Sequence, residues 1–189
     1  MDAIDALLTR ASATKLGEPG PSAELLAAAF KAASRAPDHG ALRPWKFLAI
    51  QGEGRRTLGE IMAASLKRRE PNVPEAALLR EREKAFRAPL VVVVAAKVTP
   101  AHQIPEIEQV VSAGAAAQNM ILAFHARGFA SMWRTGAAAY DPEVKKALGL
   151  DPHDHIVGVV YVGTPLGLTA EDMRPDPNRF VEMWNGAKS

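Results

Sequence analysis

Leu90-Val-Val-Val-Val-Ala-Ala96 runs for seven residues without a polar side chain. Successive side chains of a strand point to opposite faces, so an unbroken aliphatic strand is stable only where both faces are covered. The chain therefore has to build a sheet with packing layers on each side. That requirement excludes an open sheet with one wet face, and it sends the remaining elements to two sides of one core.

Those elements are readable from periodicity and punctuation. Asp2 to Thr9, Ser22 to Ser34, Arg55 to Arg69 and Glu75 to Phe86 carry helical spacing, the last opened by Pro74 near its first turn. Lys46 to Ile50 reads as a short half-buried strand, Phe129 to Arg134 as another, and Ile156 to Val162 as the last. Asp141 and Pro142 have the form of a cap and first position of a short helix that Gly149 closes. From Thr164 onward the chain is proline-rich with little periodicity. At 189 residues and 48% hydrophobic composition, it is long enough for one sizeable core and short for two, so a single domain over 1–189 is expected.

Pro105 to Arg127 predicts a helix of unusual length, with Gly128 just past its end. At 1.5 Å per residue it spans about 35 Å, the width of a small domain. Ser112-Ala-Gly-Ala-Ala-Ala117 places small residues all round one turn, which lets another backbone approach closely, while Ile121, Leu122 and Phe124 bury bulk beyond it. Such a helix runs through the centre of a fold or of a subunit interface.

Polar chemistry concentrates in Arg35-Ala-Pro-Asp-His-Gly-Ala-Leu-Arg-Pro-Trp45, a turn between a helix and a strand, with Pro37 and Pro44 preventing either from running through. Several function classes are excluded elsewhere. The chain has no cysteine, hence no disulfide framework, zinc-thiolate site or thiol nucleophile, and no serine sits in a Gly-x-Ser-x-Gly turn. A formal charge of +2 is too small to argue for nucleic acid, and the basic run Lys67 to Arg87 is laced with Glu70, Glu81 and Glu83 in the manner of a solvated helix face. No stretch reaches the roughly 18 apolar residues of a membrane span. The acidic start Met1-Asp-Ala-Ile-Asp is unlike a signal peptide, so a cytoplasmic protein is expected. Gly52-Glu-Gly54 follows a strand as a dinucleotide-binding turn would, but Thr57 replaces the third glycine. Asp151, His153 and His155 offer ligand types for a divalent-metal hydrolase, although Pro152 and a turn setting favour a surface loop.

Four segments in order give the chain a family resemblance: Arg10-Ala-Ser12, Arg35-Ala-Pro-Asp-His39 leading to Pro44-Trp45, Phe86-Arg-Ala-Pro89, and Trp133-Arg-Thr-Gly136. Together they resemble the flavin-dependent nitroreductase family, in its branch of short chains, over nearly the whole sequence. The resemblance implies an α+β fold, a three-layer α/β/α sandwich around a mostly antiparallel sheet, assembled as a homodimer with FMN at the subunit interface. It implies hydride transfer from NADH or NADPH to the flavin and onward to a small-molecule acceptor such as a nitroaromatic or quinone, with no nucleic acid or membrane partner.

Position by position, Arg10, Ala11 and Ser12 match the segment that meets the flavin phosphate and ribityl chain, Ala11 standing where many members have arginine. Arg35 and His39 match positions that reach the flavin from the partner subunit. Trp133, Arg134 and Thr135 match a second flavin-contacting segment, and Ala123 to Gly128 one assigned to the nicotinamide nucleotide. Ala41 and Arg43 stand where the wider family carries Asn and Gln, which leaves a non-catalytic dimer with the same fold as a rival to the enzyme. In this family a tail such as the one holding Arg174, Arg179, Phe180 and Trp184 embraces the partner.

Overall fold

The computed structural model describes residues 1–167 and 176–186. Five strands form the sheet: β1 (Leu16–Gly17), β2 (Trp45–Ile50), β3 (Leu90–Ala96), β4 (Ala130–Arg134) and β5 (His155–Pro165). β3 lies between β2 and β5, and the far edge of β5 is shared by β4 and, beyond it, β1. Every named strand pair is antiparallel. All seven residues of β3 are fully buried, as the aliphatic run requires.

The helices are α1 (Ala3–Thr9), α2 (Ala23–Ala33), α3 (Glu53–Arg69), α4 (Glu75–Glu83), α5 (Glu106–His125) and α6 (Pro142–Ala147). α2 and α5 cover one face, where Ala29, Ala33, Ala116, Ala117, Met120 and Phe124 meet Leu90, Val92, Val94 and Val160. The alanines facing each other on α2 and α5 explain why the long helix needs small residues at this level. α3, α4 and α6 cover the other face, with Leu58 and Ala85 on Val91 and Tyr161, and Val144 on Val93. Alternate β3 valines thus feed two cores, each fully buried side chain contributing on the order of 1.5–3 kcal/mol of transfer free energy. The result is the expected α/β/α sandwich.

The ends of the helices are set as the sequence suggests. Asp2, Ser22 and Asp141 each accept a hydrogen bond from a first-turn amide. Gly128 takes the left-handed conformation, φ 83°, just after α5. Two features depart from the periodic reading. β5 continues through Thr164 and Pro165, which the sequence places in the tail, because they pair with the two-residue strand β1. So short a strand has no periodicity to detect, and a proline at a strand end removes no interior ladder bond. The helix read to Phe86 ends instead at Glu83 and tightens into a 3-10 turn, Lys84–Phe86.

The register between β3 and β5 slips between Val94 and Ala95, which face Gly158 and Ile156. Val157 is the extra residue of this bulge, and its carbonyl is free to accept the Trp133 indole N–H at 3.2 Å. The indole of Trp133 packs against Gly158 where a side chain would otherwise stand.

Candidate active site

The first predicted segment follows directly from the end of α1. Arg10 caps that helix through its N–H to Ala6 O, and the chain then extends beside β4. Ser12 makes a parallel bridge with Ser131, and the Ala13 amide donates to Ser131 O at 3.1 Å. Thr9 Oγ1 lies 2.9 Å from His125 Nε2, which fixes the end of α1 to the last turn of α5. Burial, helped by the nearby Arg10 guanidinium, holds the His125 imidazole below its usual value. Ser12 is exposed, while Arg10 and Ala11 are half-buried.

The other end of β4 carries the second segment. Trp133 points to the α5 side and packs on the core, so its side chain is first a structural group. Arg134 and Thr135 are exposed on the opposite side or beyond the strand end. Arg134, Met132 and Tyr161 share the α3 face, where they line a cleft of about 490 Å³ closed by Lys15, Phe86 and Arg87. A second cleft of about 350 Å³ continues past Thr135 and shares Arg87, Arg134 and Tyr161 with the first. Burial pushes the Tyr161 phenol up, with the charges of Arg87 and Arg134 acting in the opposite sense.

Lys15 and Arg87 are the members of this constellation that sequence reasoning did not single out as site residues. Arg87 belongs to the Phe86-Arg-Ala-Pro89 landmark, which is the signal that points to it. The basic run from Lys67 is likewise only partly a solvated face. Arg82 is committed to Glu60 and Glu75, but Arg69, Lys84 and Arg87 look into the second cleft.

Arg35 and His39 lie elsewhere. Both are exposed, just after α2, and His39 Nδ1 is 2.7 Å from Glu108 Oε2 in the first turn of α5. The turn is unusually contorted. Gly40, Ala41 and Arg43 have φ of 72°, 54° and 52°, and the Arg43 amide donates to the Asp38 carboxylate at 2.7 Å. Two non-glycine residues in the left-handed region cost on the order of 1–3 kcal/mol each, strain of the kind that concentrates at ligand clamps.

Glu108, beside His39, and His125, beside Thr9 and Arg10, are 17 residues apart on one helix. At 1.5 Å per residue the separation is about 25 Å. Within one chain, Arg10, Ala11 and Ser12 lie at the start of β4 and Trp133, Arg134 and Thr135 at its far end, while His39 stands about 25 Å along α5 from the Arg10 end.

The model of the nitroreductase family matches residues 9–164, which takes in both β4 segments, the turn at Arg35 and the basic cleft. The chain belongs to the nitroreductase family.

It is 40% identical over 182 residues to an Escherichia coli protein named "Putative NAD(P)H nitroreductase YdjA", covering 96% of this chain and 98% of that one. Among solved structures it superposes on a nitroreductase-like family protein from Bacillus cereus with a TM-score of 0.83, at 23% identity, covering 98% and 97% of the two chains. An FMN and NADPH-dependent nitroreductase, NfnB, from Sphigopyxis sp. strain HMH gives a TM-score of 0.76 at 19% identity, covering 99% and 100%. These likenesses establish the fold.

In this member of the nitroreductase family the divalent-metal arrangement does not form. Asp151 pairs with Lys97 at 2.5 Å, and the fully buried Asp154 accepts from Lys97, the Val98 amide and the Asp151 amide. Burial raises the Asp154 carboxyl, but those hydrogen bonds outweigh it and hold the group below its usual value. His155 turns away to Glu106 Oε1 at 2.6 Å. Among the described residues no group of three His, Asp or Glu side chains is placed to hold a metal ion. The carboxylates of Asp151 and Asp154 are thus both taken up by the Lys97 ammonium. The segment Ala123 to Gly128 ends α5, with Phe124 fully buried in the core and His125 tied to Thr9. Among the described residues no helix is long and apolar enough to cross a membrane.

Proposed function

We propose that this chain is an FMN-dependent NAD(P)H oxidoreductase that works as a homodimer, each flavin held between Arg10–Ser12 and Trp133–Thr135 of one subunit and Arg35 and His39 of the other. The observation that carries the reading is the separation of about 25 Å along α5 between His39 and the phosphate donors at Arg10 and Ser12. One flavin cannot span it within a chain, whereas a second copy closes the site. Family membership, the name of the Escherichia coli relative and the flavin dependence of NfnB point to the same chemistry. When bound, FMN accepts a hydride from NADH or NADPH and passes electrons to a small acceptor such as a nitroaromatic or quinone.

The residues present suit the group. Arg10 and Ser12 supply donors for a phosphate, and the cleft beside them joins cations Lys15, Arg87 and Arg134 to the apolar Phe86 and Met132, as a planar ring with polar edges requires. No nucleophile is needed. Trp133 acts through the backbone it positions, since its ring is packed on Gly158. Arg43 and the strained turn around it would lie at the flavin edge contributed by the partner.

A second copy also has surface to cover. Ile4, Leu7 and Leu8 of α1, Ile107 and Val111 of α5, and Phe180 and Trp184 of the tail are exposed apolar side chains. Arg174 falls outside the described residues. A cytoplasmic setting suits a chain without cysteines that draws on NAD(P)H.

The decisive test is the visible spectrum of the purified protein. Absorption near about 450 nm that bleaches anaerobically with NADH or NADPH is expected of a bound flavin. A colourless protein that takes up no FMN when it is added would sink the reading.

A further inference from the structure

The cleft past Thr135 has more positive charge than a flavin phosphate at Arg10 would use. Its floor is apolar, made by Leu66, Val159 and Tyr161, and its rim carries Arg69, Lys84, Arg87 and Arg134. Against these four cations stands one carboxylate, Glu81, and it is already bound by Lys84. Among the described residues Arg69 and Arg87 have no ion pair. Arg134 Nε is directed at the Met132 sulfur, 2.8 Å away.

Position separates this cluster from the phosphate donors. Ser12 bridges Ser131 at the start of β4, and Thr135 follows the other end. Four residues of strand at about 3.3 Å each put roughly 13 Å between them. A flavin with its phosphate at Arg10 and Ser12 would point its ring toward Thr135 and leave the rim of the second cleft for whatever approaches the ring. Guanidinium groups lacking counter-ions favour carboxylate or phosphate, for which their planar fork is suited. The apolar floor favours a ring. A volume of about 350 Å³ lies near the small end of ligand pockets, which run from roughly 300 to 1,000 Å³, and so suits a one- or two-ring molecule rather than a dinucleotide.

We infer that the second cleft selects an anionic aromatic acceptor, an aromatic carboxylate whose ring lies on Leu66 and Val159 and whose charge is held by Arg69 and Arg87. This rests on the flavin reading above for the identity of the neighbouring group, but the cleft itself is tested without it.

The experiment is a calorimetric titration of the protein with benzoate and with its neutral analogue benzamide, in the presence and absence of saturating FMN, alongside a separate measurement of FMN affinity. Benzoate is expected to bind at least about tenfold more tightly than benzamide with FMN present, the scale of one charge-assisted hydrogen bond. Arg69, which lines the second cleft and not the first, separates the two sites. The variant Arg69→Gln should cut that preference by at least about threefold and leave the FMN dissociation constant within about twofold, while Arg10→Ala should do the reverse. In turnover, Arg69→Gln should lower the ratio of kcat/KM for 4-nitrobenzoate over nitrobenzene by at least about threefold. Equal binding of benzoate and benzamide would overturn the inference. So would loss of FMN affinity in Arg69→Gln, or a benzoate preference that disappears when FMN is added, since either would give the cations to the flavin. A protein that binds no FMN but still prefers benzoate would refute the flavin reading and leave the anion cleft standing.

Discussion

Gly158→Ala should be among the most damaging single-methyl additions to this fold. A Cβ built on Gly158 lies 2.0 Å from Trp133 Nε1 and 2.6 Å from Cδ1, so the indole has to leave its place. Moving it breaks the hydrogen bond to the bulged Val157 carbonyl and opens the packing against the α5 face. Overpacking of this kind costs about 1–3 kcal/mol, and loss of the indole bond about 0.5–1.5 kcal/mol more. Alanine recovers about 0.5–1 kcal/mol by restricting the unfolded chain. The net loss is therefore about 1–3.5 kcal/mol, equivalent to a fall in Tm of roughly 2–14 °C for a chain of this size. Urea and thermal denaturation at fixed protein concentration would measure it. A double-mutant cycle assigns the cause. In the Trp133→Ala background the added methyl meets no indole, so Gly158→Ala should there be close to neutral, with a coupling energy of about 2 kcal/mol. Stability of Gly158→Ala within about 0.5 kcal/mol of the parent, or full additivity with Trp133→Ala, would refute the packing argument.

Asp141, the cap of α6, offers a pH test. Burial raises its carboxyl, but hydrogen bonds that include those from Arg68 and the Glu143 amide bring it down to about 2. A depressed carboxylate stabilises fully above its unfolded value of about 3.9 and loses that contribution as pH falls toward 2, here on the order of 2 kcal/mol. Urea midpoints followed from pH 7 to pH 2.5 should fall more steeply for the parent than for Asp141→Asn, and parallel curves would remove Asp141 from the account. Removal of residues from Pro175 onward takes away Phe180, Met183 and Trp184, all exposed in the single chain, and should shift sedimentation toward monomer. An unchanged mass would place the subunit contact elsewhere.

The layered fold was legible because its strongest signals are long ones. The aliphatic run of β3 demanded two covered faces, and the small residues of α5 matched the alanines of α2. What escaped were features fixed by tertiary pairing: β1, whose two residues form a strand only beside Thr164 and Pro165, and the Val157 bulge, which depends on register with β3. The site was legible in pieces. Arg10–Ser12 and Trp133–Thr135 stood out as segments, yet nothing local in the sequence says that one borders the start of the strand whose far end carries the other. Trp133 owes its burial to Gly158, 25 positions away. Lys15, Arg69 and Arg87 were hidden because a cation facing a cleft and one facing water occupy the same kind of helical or loop position. The paired charges of Asp151 and His155 were misleading for a like reason, since their partners Lys97 and Glu106 come from distant segments.

The length of α5 has a genetic counterpart under the shared-site reading. A chain damaged at Arg10 still carries an intact Arg35 and His39, and a chain damaged at His39 still carries an intact Arg10. Mixed in one dimer, the two defects fall on the same flavin and the other site is wholly unaltered. Two alleles that are each null alone would complement each other when expressed together, whereas two lesions at the same end of the helix would not.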